Sequence, residues 1–334
     1  MELKLIEKIE HVEWDRIISS FDSKGLFHQS AWLDFIEKSQ RCKRILLKIE
    51  ESNKVIGYFP CFILRKGPFK ILGSPLIGWS TEFMGPIVNK DFNLENFLNA
   101  LDKYCKFQKI DHLEISNPVF NPEIMKSKGF QCRKGVTYIV VLSPEEEFMW
   151  KNLKQKSCRW AINKAIKNNL IVEDTNNPGI IEEYYKQLME VFGKKKLVPT
   201  YTIERAKTLF ECLKKQNLLL ALQVKYKNEI IATGLFPYDD RCIYFWGGAS
   251  WSKFHHLCPN ELLHWTVITM AAKKGISKYD MGGGGKFKSK FGGKLTVTYH
   301  WYKSYNPLAK IGRTIYQHQF RILQKMKGFI QKIR

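Results

Sequence analysis

The sequence lacks long apolar runs. No segment reaches the roughly 18 consecutive apolar residues that a membrane-spanning helix requires. The N-terminal segment MELKLIEKIEHVEWDR is charged throughout, so it also lacks the apolar core of a secretory signal peptide. These two absences predict a protein that remains in the cytoplasm.

Paired cysteines are also absent. The eight cysteines are scattered, with no CxxC pair and no close spacing of cysteine and histidine. The usual structural zinc motifs need such spacings. The sequence therefore predicts no metal site, no resident cofactor, and reduced thiols in the core.

Acidic residues are scarce relative to basic ones. The chain has 54 Lys and Arg against 32 Asp and Glu, a formal net charge of +22. Residues 274–334 contain fourteen basic residues and one acidic residue, Asp280, and residues 151–168 contain six and none. Such a basic surface attracts phosphate-rich partners, namely RNA, nucleotide-linked substrates or anionic membranes. A lysine-rich genome is the alternative source of much of the excess.

The length and the order of patterns indicate two α/β domains. A chain of 334 residues with 44% apolar residues can bury two cores of ordinary size. Ser143 and Pro144, followed by two glutamates, are typical of a helix start. We therefore predict a first domain over 1–145 and a second over 146–307.

A long amphipathic helix is predicted over 308–334. Its apolar stripe begins with Leu308, Ile311 and Ile315, and seven Lys or Arg follow from Lys310 onward. The stripe suits two arrangements, packing on the second domain or lying on an anionic membrane.

A segment of the first half recurs in the second. Glu95 precedes the strand that starts at Ile110 by fifteen residues, and Glu261 precedes the strand that starts at Ile276 by the same number. The two strands match in polarity up to their acidic residues. KSKGF and VTY of the first half return in the same order as KSKFG and VTY of the second. This predicts a duplicated domain, because the period is far too long for a solenoid.

Each half is predicted to contain paired strands, a helix, a strand, a short helix and a last strand, an order that resembles that of a GNAT acyltransferase domain. Four local sequences in this order, FHQSAW, GPIV, LKQKSCRWAINKAIK and GKFKSKFGG, resemble the FemA/FemB/FemX family of tandem-GNAT transferases. The resemblance implies two tandem GNAT-like domains with mixed sheets. It also implies a cytoplasmic aminoacyltransferase that moves an aminoacyl group from tRNA to an amine of a peptidoglycan or other cell-envelope precursor, nucleotide-linked or lipid-linked.

The same resemblance suggests the site residues. It places catalysis on Phe287 and Lys288, where the ammonium would stabilise the oxyanion that forms when an amine attacks an ester. Lys126 is the repeat partner of Lys288, so an inherited structural role is the alternative. Lys290 of the same motif is a further candidate for substrate binding.

The other candidates for substrate binding lie further upstream. Lys156 and Arg159 are predicted to share one face of a helix that runs on from Trp150, a face suited to phosphates or simply to solvent. Tyr201 and Trp246 complete the set, although an aromatic residue in the strand CIYFWGGAS also suits a core. The backbone of this strand is predicted to offer further amide donors to the oxyanion.

Two other functions stay open. An acyl-CoA-dependent N-acyltransferase acting on a sugar or an amino acid would share the fold, but the Q/R-x-x-G-x-G/A pyrophosphate loop is missing after CIYFWGGAS. A non-catalytic RNA-binding protein on a GNAT scaffold would share the charge. The sequence favours aminoacyl-tRNA as the donor, with peripheral contact at the inner membrane face through the C-terminal helix.

Overall fold

The computed structural model describes residues 1–89 and 92–315, which pack as two compact units. The first unit contains Met1–Gly135 and the described residues from Val297 onward, and the second contains Val136–Thr296. These bounds differ from the limits predicted at 145 and 307, which remain a prediction about the duplicated domains.

Strands and helices alternate along the chain. The strands are β1 (Glu2–Leu5), β2 (Lys43–Glu51), β3 (Lys54–Lys66), β4 (Phe69–Ser74), β5 (Ile87–Val88), β6 (His112–Ile115), β7 (Gln131–Val141), β8 (Ile171–Asp174), β9 (Leu219–Tyr226), β10 (Glu229–Pro237), β11 (Cys242–Tyr244), β12 (Gly247–Ser250), β13 (Lys278–Asp280) and β14 (Lys294–Ser304). The helices are α1 (His11–Ser19), α2 (Ser30–Gln40), α3 (Leu94–Phe107), α4 (Pro122–Ser127), α5 (Glu146–Asn152), α6 (Trp160–Lys167), α7 (Ile180–Lys194), α8 (Ile203–Leu213), α9 (Pro259–Lys273) and α10, described over 307–315. Two short turns matter below, the π-turn (Gln155–Arg159) and the lysine turn (Lys288–Phe291).

The first unit is a mixed sheet with the order β1-β2-β3-β4-β6-β14, to which β5 adds by pairing with β3. Helix α3 begins where Asn93 accepts a hydrogen bond from the amide of Asn96, and it buries Phe97, Leu98 and Leu101 against the sheet. Each such side chain contributes about 1.5–3 kcal/mol by leaving water. Trp301 of β14 joins the same core and is only 1% exposed, so the last strand is anchored there.

Glu114 in β6 is a fully buried carboxylate with four donors. One oxygen accepts from His112 Nε2 at 3.2 Å and Arg313 Nε at 2.6 Å. The other accepts from the Ile77 amide at 2.8 Å and His300 Nε2 at 2.9 Å. Burial alone would raise the pKa of Glu114, but the two histidine hydrogen bonds and the Arg313 charge outweigh it and hold the pKa well below 4.5. The cluster thereby fixes α10 to β6.

The second unit has an antiparallel sheet β12-β10-β9-β8 and a smaller set in which β11 pairs in parallel with β13 and β13 pairs with β7. Lys227 and Asn228, both with positive φ, form the tight turn that joins β9 to β10. Helix α9 is buried along most of its length, while α7 packs on β10 and β12. Helix α9 is therefore the central helix of this unit.

The sequence repeat corresponds to a structural repeat. In the first unit β4 runs parallel to β6 after the crossover α3, and in the second β11 runs parallel to β13 after α9. The last strand of each half of the sequence, β7 or β14, pairs with a strand from the other half. Residues 139–141 of β7 pair with β13, and residues 301–304 of β14 pair with β6. Each unit is therefore completed by a strand from the other half of the sequence.

The helix predicted from Ser143 onward is wrong in its start and its continuity. Helix α5 follows the cap residue Glu145, because the Ser143 hydroxyl accepts from the Glu145 amide in a turn. Leu153 is extended after α5, and the π-turn then leads into α6. The chain changes direction there because the Lys154 amide donates to the carbonyl oxygen of Lys290 at 2.9 Å.

The predicted C-terminal helix is seen over its first residues. In α10 the side chains of Leu308, Ile311 and Ile315 are 66%, 55% and 49% exposed, whereas Ala309 and Arg313 face inward. Residues 316–334, which carry the rest of the predicted helix, lie outside the described residues. Within 1–89 and 92–315, no helix combines the length and apolarity needed to cross a membrane.

Candidate active site

Strands β11 and β12 follow each other in the chain but pair with different strands, β11 with β13 and β12 with β10. The gap that begins where they diverge is called the opening. The Phe245 amide donates to the carbonyl oxygen of Asp280 at 2.8 Å, and the next amide, of Trp246, donates to Leu235 at 3.1 Å. The predicted single strand CIYFWGGAS is therefore wrong, because these two bonds divide it between different partner strands. They also engage two of the amides, those of Phe245 and Trp246, in the strand that was predicted to offer donors to an oxyanion. Beyond the junction β12 pairs only with β10 among the strands that the structure describes.

The glycine loop and Lys288 lie beside this opening. Gly282, Gly283 and Gly285 have φ values of 62°, 86° and 126°, which disfavour any residue with a Cβ. Lys288 starts the lysine turn, and its ammonium donates to the carbonyl oxygen of Gly282. The same Nζ lies 5.4 Å from the centroid of the Phe245 ring. The predicted catalytic lysine is thus held between the loop and the β11–β12 junction.

An aromatic cluster supports the lysine turn. The His264 ring on α9 lies 5.4 Å from Phe287, 5.2 Å from Phe291 and 4.9 Å from Phe245, centroid to centroid. Burial, with the charges of nearby lysines, lowers the pKa of His264 to about 3. Its Nδ1 is hydrogen-bonded to the Tyr279 hydroxyl at 2.6 Å. His264 is therefore a neutral packing group, and Phe287 lies between it and the surface.

Lys290 points inward. Its Nζ forms an ion pair with Glu261 of α9 at 2.5 Å and lies 4.2 Å from the centroid of the Phe287 ring. The side chains of Lys290 and Glu261 are only 11% and 16% exposed. In this arrangement the ammonium holds the lysine turn on α9, and its predicted contact with substrate stays a prediction.

The basic π-turn lies against the lysine turn. Besides the backbone bond from Lys154 to Lys290, Lys154 Nζ is 3.5 Å from the Ser289 hydroxyl. Lys156 is exposed on the π-turn. Arg159 Nε is buried and has no hydrogen-bond partner in the part of the chain that the structure describes. Single π-turns within helices frequently occur at functional sites. The structure therefore brings the predicted Lys156 and Arg159 segment next to the Lys288 segment.

Tyr201 and Trp246 form a second group within the unit. Their ring centroids are 4.8 Å apart, and the Tyr201 hydroxyl is hydrogen-bonded to that of Tyr184. Burial raises the pKa of Tyr201 to about 12, so both phenols are protonated at neutral pH. A Cβ on Gly247 would lie 3.0 Å from the Tyr201 oxygen and closer still to that of Tyr184. The phenol pair thus requires glycine at the start of β12.

Sequence reasoning missed Asp280 as a site residue. It is the last residue of β13, and burial raises its pKa above 3.8. One oxygen, Oδ1, accepts hydrogen bonds from the Thr137 hydroxyl and from the Gly282 amide, the latter at 2.9 Å. Its position as the repeat partner of Glu114 was the one signal in the sequence.

His255 lies beside β12 and is hydrogen-bonded to the Ser250 hydroxyl at 3.0 Å. Across the described ranges, no group of three or more His, Cys, Asp or Glu side chains could hold a metal ion. The site is therefore described by its lysines, phenols and the buried Asp280.

Comparison with known proteins supports the tandem-GNAT fold that the sequence predicts. Residues 155–290 match the family model described as Acetyltransferase (GNAT) domain. The chain is similar to the crystal structure of FemX, with a TM-score of 0.73 and 15% identity over 93% of this chain and 99% of that chain. No curated protein matches the chain by sequence.

Two further solved structures are similar over nearly the whole chain. One is the C-terminal domain of a putative lysylphosphatidylglycerol synthetase from Agrobacterium fabrum, with a TM-score of 0.59 and 12% identity over 90% of this chain and 94% of that chain. The other is a tandem GNAT protein from the clavulanic acid biosynthesis pathway, with a TM-score of 0.53 and 7% identity over 92% of this chain and 99% of that chain. The chain thus has the FemAB-like tandem-GNAT fold that its sequence predicts, and residues 155–290 form a GNAT acyltransferase domain.

Proposed function

We propose that this acyltransferase moves an aminoacyl group from aminoacyl-tRNA to an amine of a cell-envelope precursor. The observation that carries the proposal is the position of Lys288, whose ammonium lies at the opening between β12 and the glycine loop. The transfer site is proposed to lie in the second unit. The name of one similar protein, a putative lysylphosphatidylglycerol synthetase, and the sequence resemblance to the FemA/FemB/FemX family support an aminoacyl group as the transferred unit.

The role proposed for Lys288 is to stabilise the oxyanion that forms during the transfer. Attack of an amine on an ester places a negative charge on the former carbonyl oxygen, which must be stabilised in place. The Phe245 and Trp246 amides are already bonded within the unit, whereas the Lys288 ammonium is a charged donor beside the opening. Its partner in the free protein is a neutral carbonyl, of Gly282, which a developing anion displaces readily because charge-assisted hydrogen bonds are stronger.

Basic residues beside the lysine turn suit a tRNA donor. Lys154 lies directly against this turn, and Lys156 and Arg159 follow on the π-turn. Phosphate contacts of this kind position nucleic acid without reading its sequence. We propose these side chains as contacts to the acceptor end of the donor, with Tyr201 and Trp246 as contacts to the aminoacyl group or the acceptor.

An acyl-CoA donor is the second candidate, and the family match to an acetyltransferase domain favours it. In that case the pyrophosphate would need backbone donors near the start of α9. Pro259 occupies the first position of this helix and has no amide hydrogen, and Cys258 before it has a φ of 60°. This start of α9 therefore offers one amide donor fewer, and together with the missing Q/R-x-x-G-x-G/A loop it supports the tRNA donor.

A donor comparison tests the proposal. Purified protein is incubated with a nucleotide-linked peptidoglycan precursor peptide and with either a labelled aminoacyl-tRNA pool or labelled acetyl-CoA, and products are resolved by mass spectrometry. Label transferred only from tRNA supports the aminoacyltransferase. Transfer only from acetyl-CoA selects the second candidate. Tight RNA binding without transfer to any amine would instead indicate a non-catalytic RNA-binding protein.

The proposed donor also indicates where in the cell the protein acts. Aminoacyl-tRNA is a cytoplasmic substrate, so we propose that the protein acts in the cytoplasm. The exposed apolar face of α10 and the basic sequence that follows support contact with the inner face of the membrane, where lipid-linked precursors would be reached.

A further inference from the structure

Asp280 is placed where the opening of the second unit begins. Its carbonyl oxygen accepts the Phe245 amide, the last bond between β13 and the chain that leads into β12. In the parallel pair β11–β13 its direct neighbour is Tyr244, so the two side chains lie on the same face. Asp280 therefore lies at the apex of the opening.

The carboxylate of Asp280 has one engaged oxygen and one open one. Both hydrogen bonds, from the Thr137 hydroxyl and the Gly282 amide, go to Oδ1. No described residue donates to Oδ2. Because the two donors fix the plane of the carboxylate, Oδ2 is held in a defined direction. A carboxylate arranged in this way can accept a proton without losing its anchoring bonds.

The repeat provides an internal comparison. Glu114 has the same position in the first unit, but donors fill both of its oxygens, including the side chains of His112, His300 and Arg313. It is a structural carboxylate with no oxygen left for a proton. Of the two repeat partners, only Asp280 keeps an open oxygen and lies next to the glycine loop.

We propose that Asp280 is the catalytic base, accepting through Oδ2 the proton that the acceptor amine loses as it attacks the acyl carbon. This inference rests on the proposed acyl transfer. The amine nitrogen forms a bond to the carbonyl carbon, and the carbonyl electron pair moves to the oxygen beside Lys288. The tetrahedral adduct then collapses, the bond from carbon to the ribose oxygen breaks, and that oxygen takes up the proton from Asp280. An amide and a free hydroxyl result, and the carboxylate is restored.

The charged and titratable groups around Asp280 fit this role. Lys288 lies close enough for its charge to favour the carboxylate, while burial opposes ionisation and raises the pKa. Cys242 and Tyr244 on β11 lie on the same face as Asp280, and burial keeps both protonated at neutral pH. Tyr279, the preceding residue of β13, points to the opposite face and is also kept protonated by burial. A base with a raised pKa removes a proton from an amine more effectively than an ordinary aspartate.

The Asp280→Asn variant tests the assignment, since the amide oxygen can still accept from Thr137 and Gly282. We expect kcat for transfer to the peptide amine to fall by about 100-fold or more. The fall in wild-type rate towards acid pH is expected to flatten in the variant. With hydroxylamine, an acceptor that is largely unprotonated at neutral pH, the kcat of the variant is expected to fall less.

Thr137→Val is the matched control for position. It removes one hydrogen bond to Oδ1 and keeps the base. Because this bond favours the ionised carboxylate, its loss raises the pKa of Asp280 further, and the acid limb of the rate profile is expected to move to higher pH. A merely structural aspartate would give equal rate losses in both variants and no such movement.

Two results overturn the inference and are distinguishable. If the wild type transfers label and Asp280→Asn retains its kcat and pH profile, Asp280 is not the base, and the proposed function stands. If the wild type transfers nothing from tRNA or acetyl-CoA, the proposed function fails, and the role of Asp280 with it.

Discussion

Glu114 and Asp280 occupy the same position of the internal repeat, yet one carboxylate accepts four hydrogen bonds and the other two. Both lie in a short strand that follows the central helix of a unit. In the first unit the carboxylate holds Arg313 and so fixes α10, whereas in the second it borders the glycine loop. The duplication has therefore supplied one anchor and one candidate for chemistry.

Replacing Glu114 with Gln is expected to destabilise the first unit. The change removes a buried negative charge that accepts hydrogen bonds from His112 and His300 and pairs with the Arg313 guanidinium, at a cost of about 3 kcal/mol near neutral pH. Since the pKa of Glu114 is depressed in the folded state, its contribution is complete above pH 4.5 and is lost as pH falls further. Urea unfolding of wild type and variant should therefore show a difference that shrinks below pH 4.5.

The exposed Glu13→Gln is the control for this measurement, with an expected change within about 0.5 kcal/mol. A Glu114→Gln difference that stays constant between pH 7 and acid pH would contradict the assigned ion cluster.

Gly247→Ala is expected to separate the phenols of Tyr184 and Tyr201, because a Cβ at this position overlaps the Tyr184 oxygen. A loss of about 1–3 kcal/mol in unfolding free energy is expected from overpacking. Gly193→Ala in α7 is the matched control. Nothing lies within 4 Å of its added Cβ, so this variant should gain about 0.5–1 kcal/mol. Equal stability changes in the two variants would contradict the close approach at β12.

Most strands and helices, and their order, could be predicted from the sequence, but the pairing partners of the strands could not. The pattern of α3 was sufficient to predict this helix, because its apolar face and its Asn93 cap depend only on residues near each other in the sequence. The exchange of β7 and β14 could not be predicted, because a two-residue period of apolar side chains indicates a strand but not the strand with which it pairs. The break before the π-turn has the same origin, because it depends on the bond between Lys154 and Lys290.

The sequence named candidate site residues, whose roles remain predictions, and it missed the electrostatics around them. Its motif drew attention to Lys288 and Phe287, and their surroundings agree with a location beside the opening. The ion pair of Lys290 with Glu261 and the raised pKa of Asp280 both come from burial, which depends on packing between distant segments. A single sequence contains no direct signal for either.

Lys290→Met is expected to cost about 3 kcal/mol of unfolding free energy, because it leaves Glu261 buried without its cation. Adding Glu261→Gln should recover much of this loss, since the two changes act on one pair. Lys294→Met, at an exposed position of β14, is the control and should change stability little. Additive losses in the double variant, measured by urea unfolding, would argue against the pair.

The exposed face of α10 is expected to contribute to binding of anionic membranes. Leu308→Ser with Ile311→Ser should weaken sedimentation with phosphatidylglycerol vesicles and leave the weak binding to phosphatidylcholine vesicles unchanged. Val12→Ser, at an exposed position of α1, is the control. Undiminished binding by the double variant would exclude this face as the contact, and binding should also fall with added salt.

The rate of acyl transfer by Lys288→Ala is the most direct measurement on the proposed site. If the ammonium stabilises the oxyanion, kcat should fall by about 100-fold to 1,000-fold while the unfolding free energy stays close to that of the wild type. Lys286→Ala, in the same loop but exposed, should retain nearly full activity. Full activity in Lys288→Ala, under conditions in which the wild type transfers label, would contradict the account.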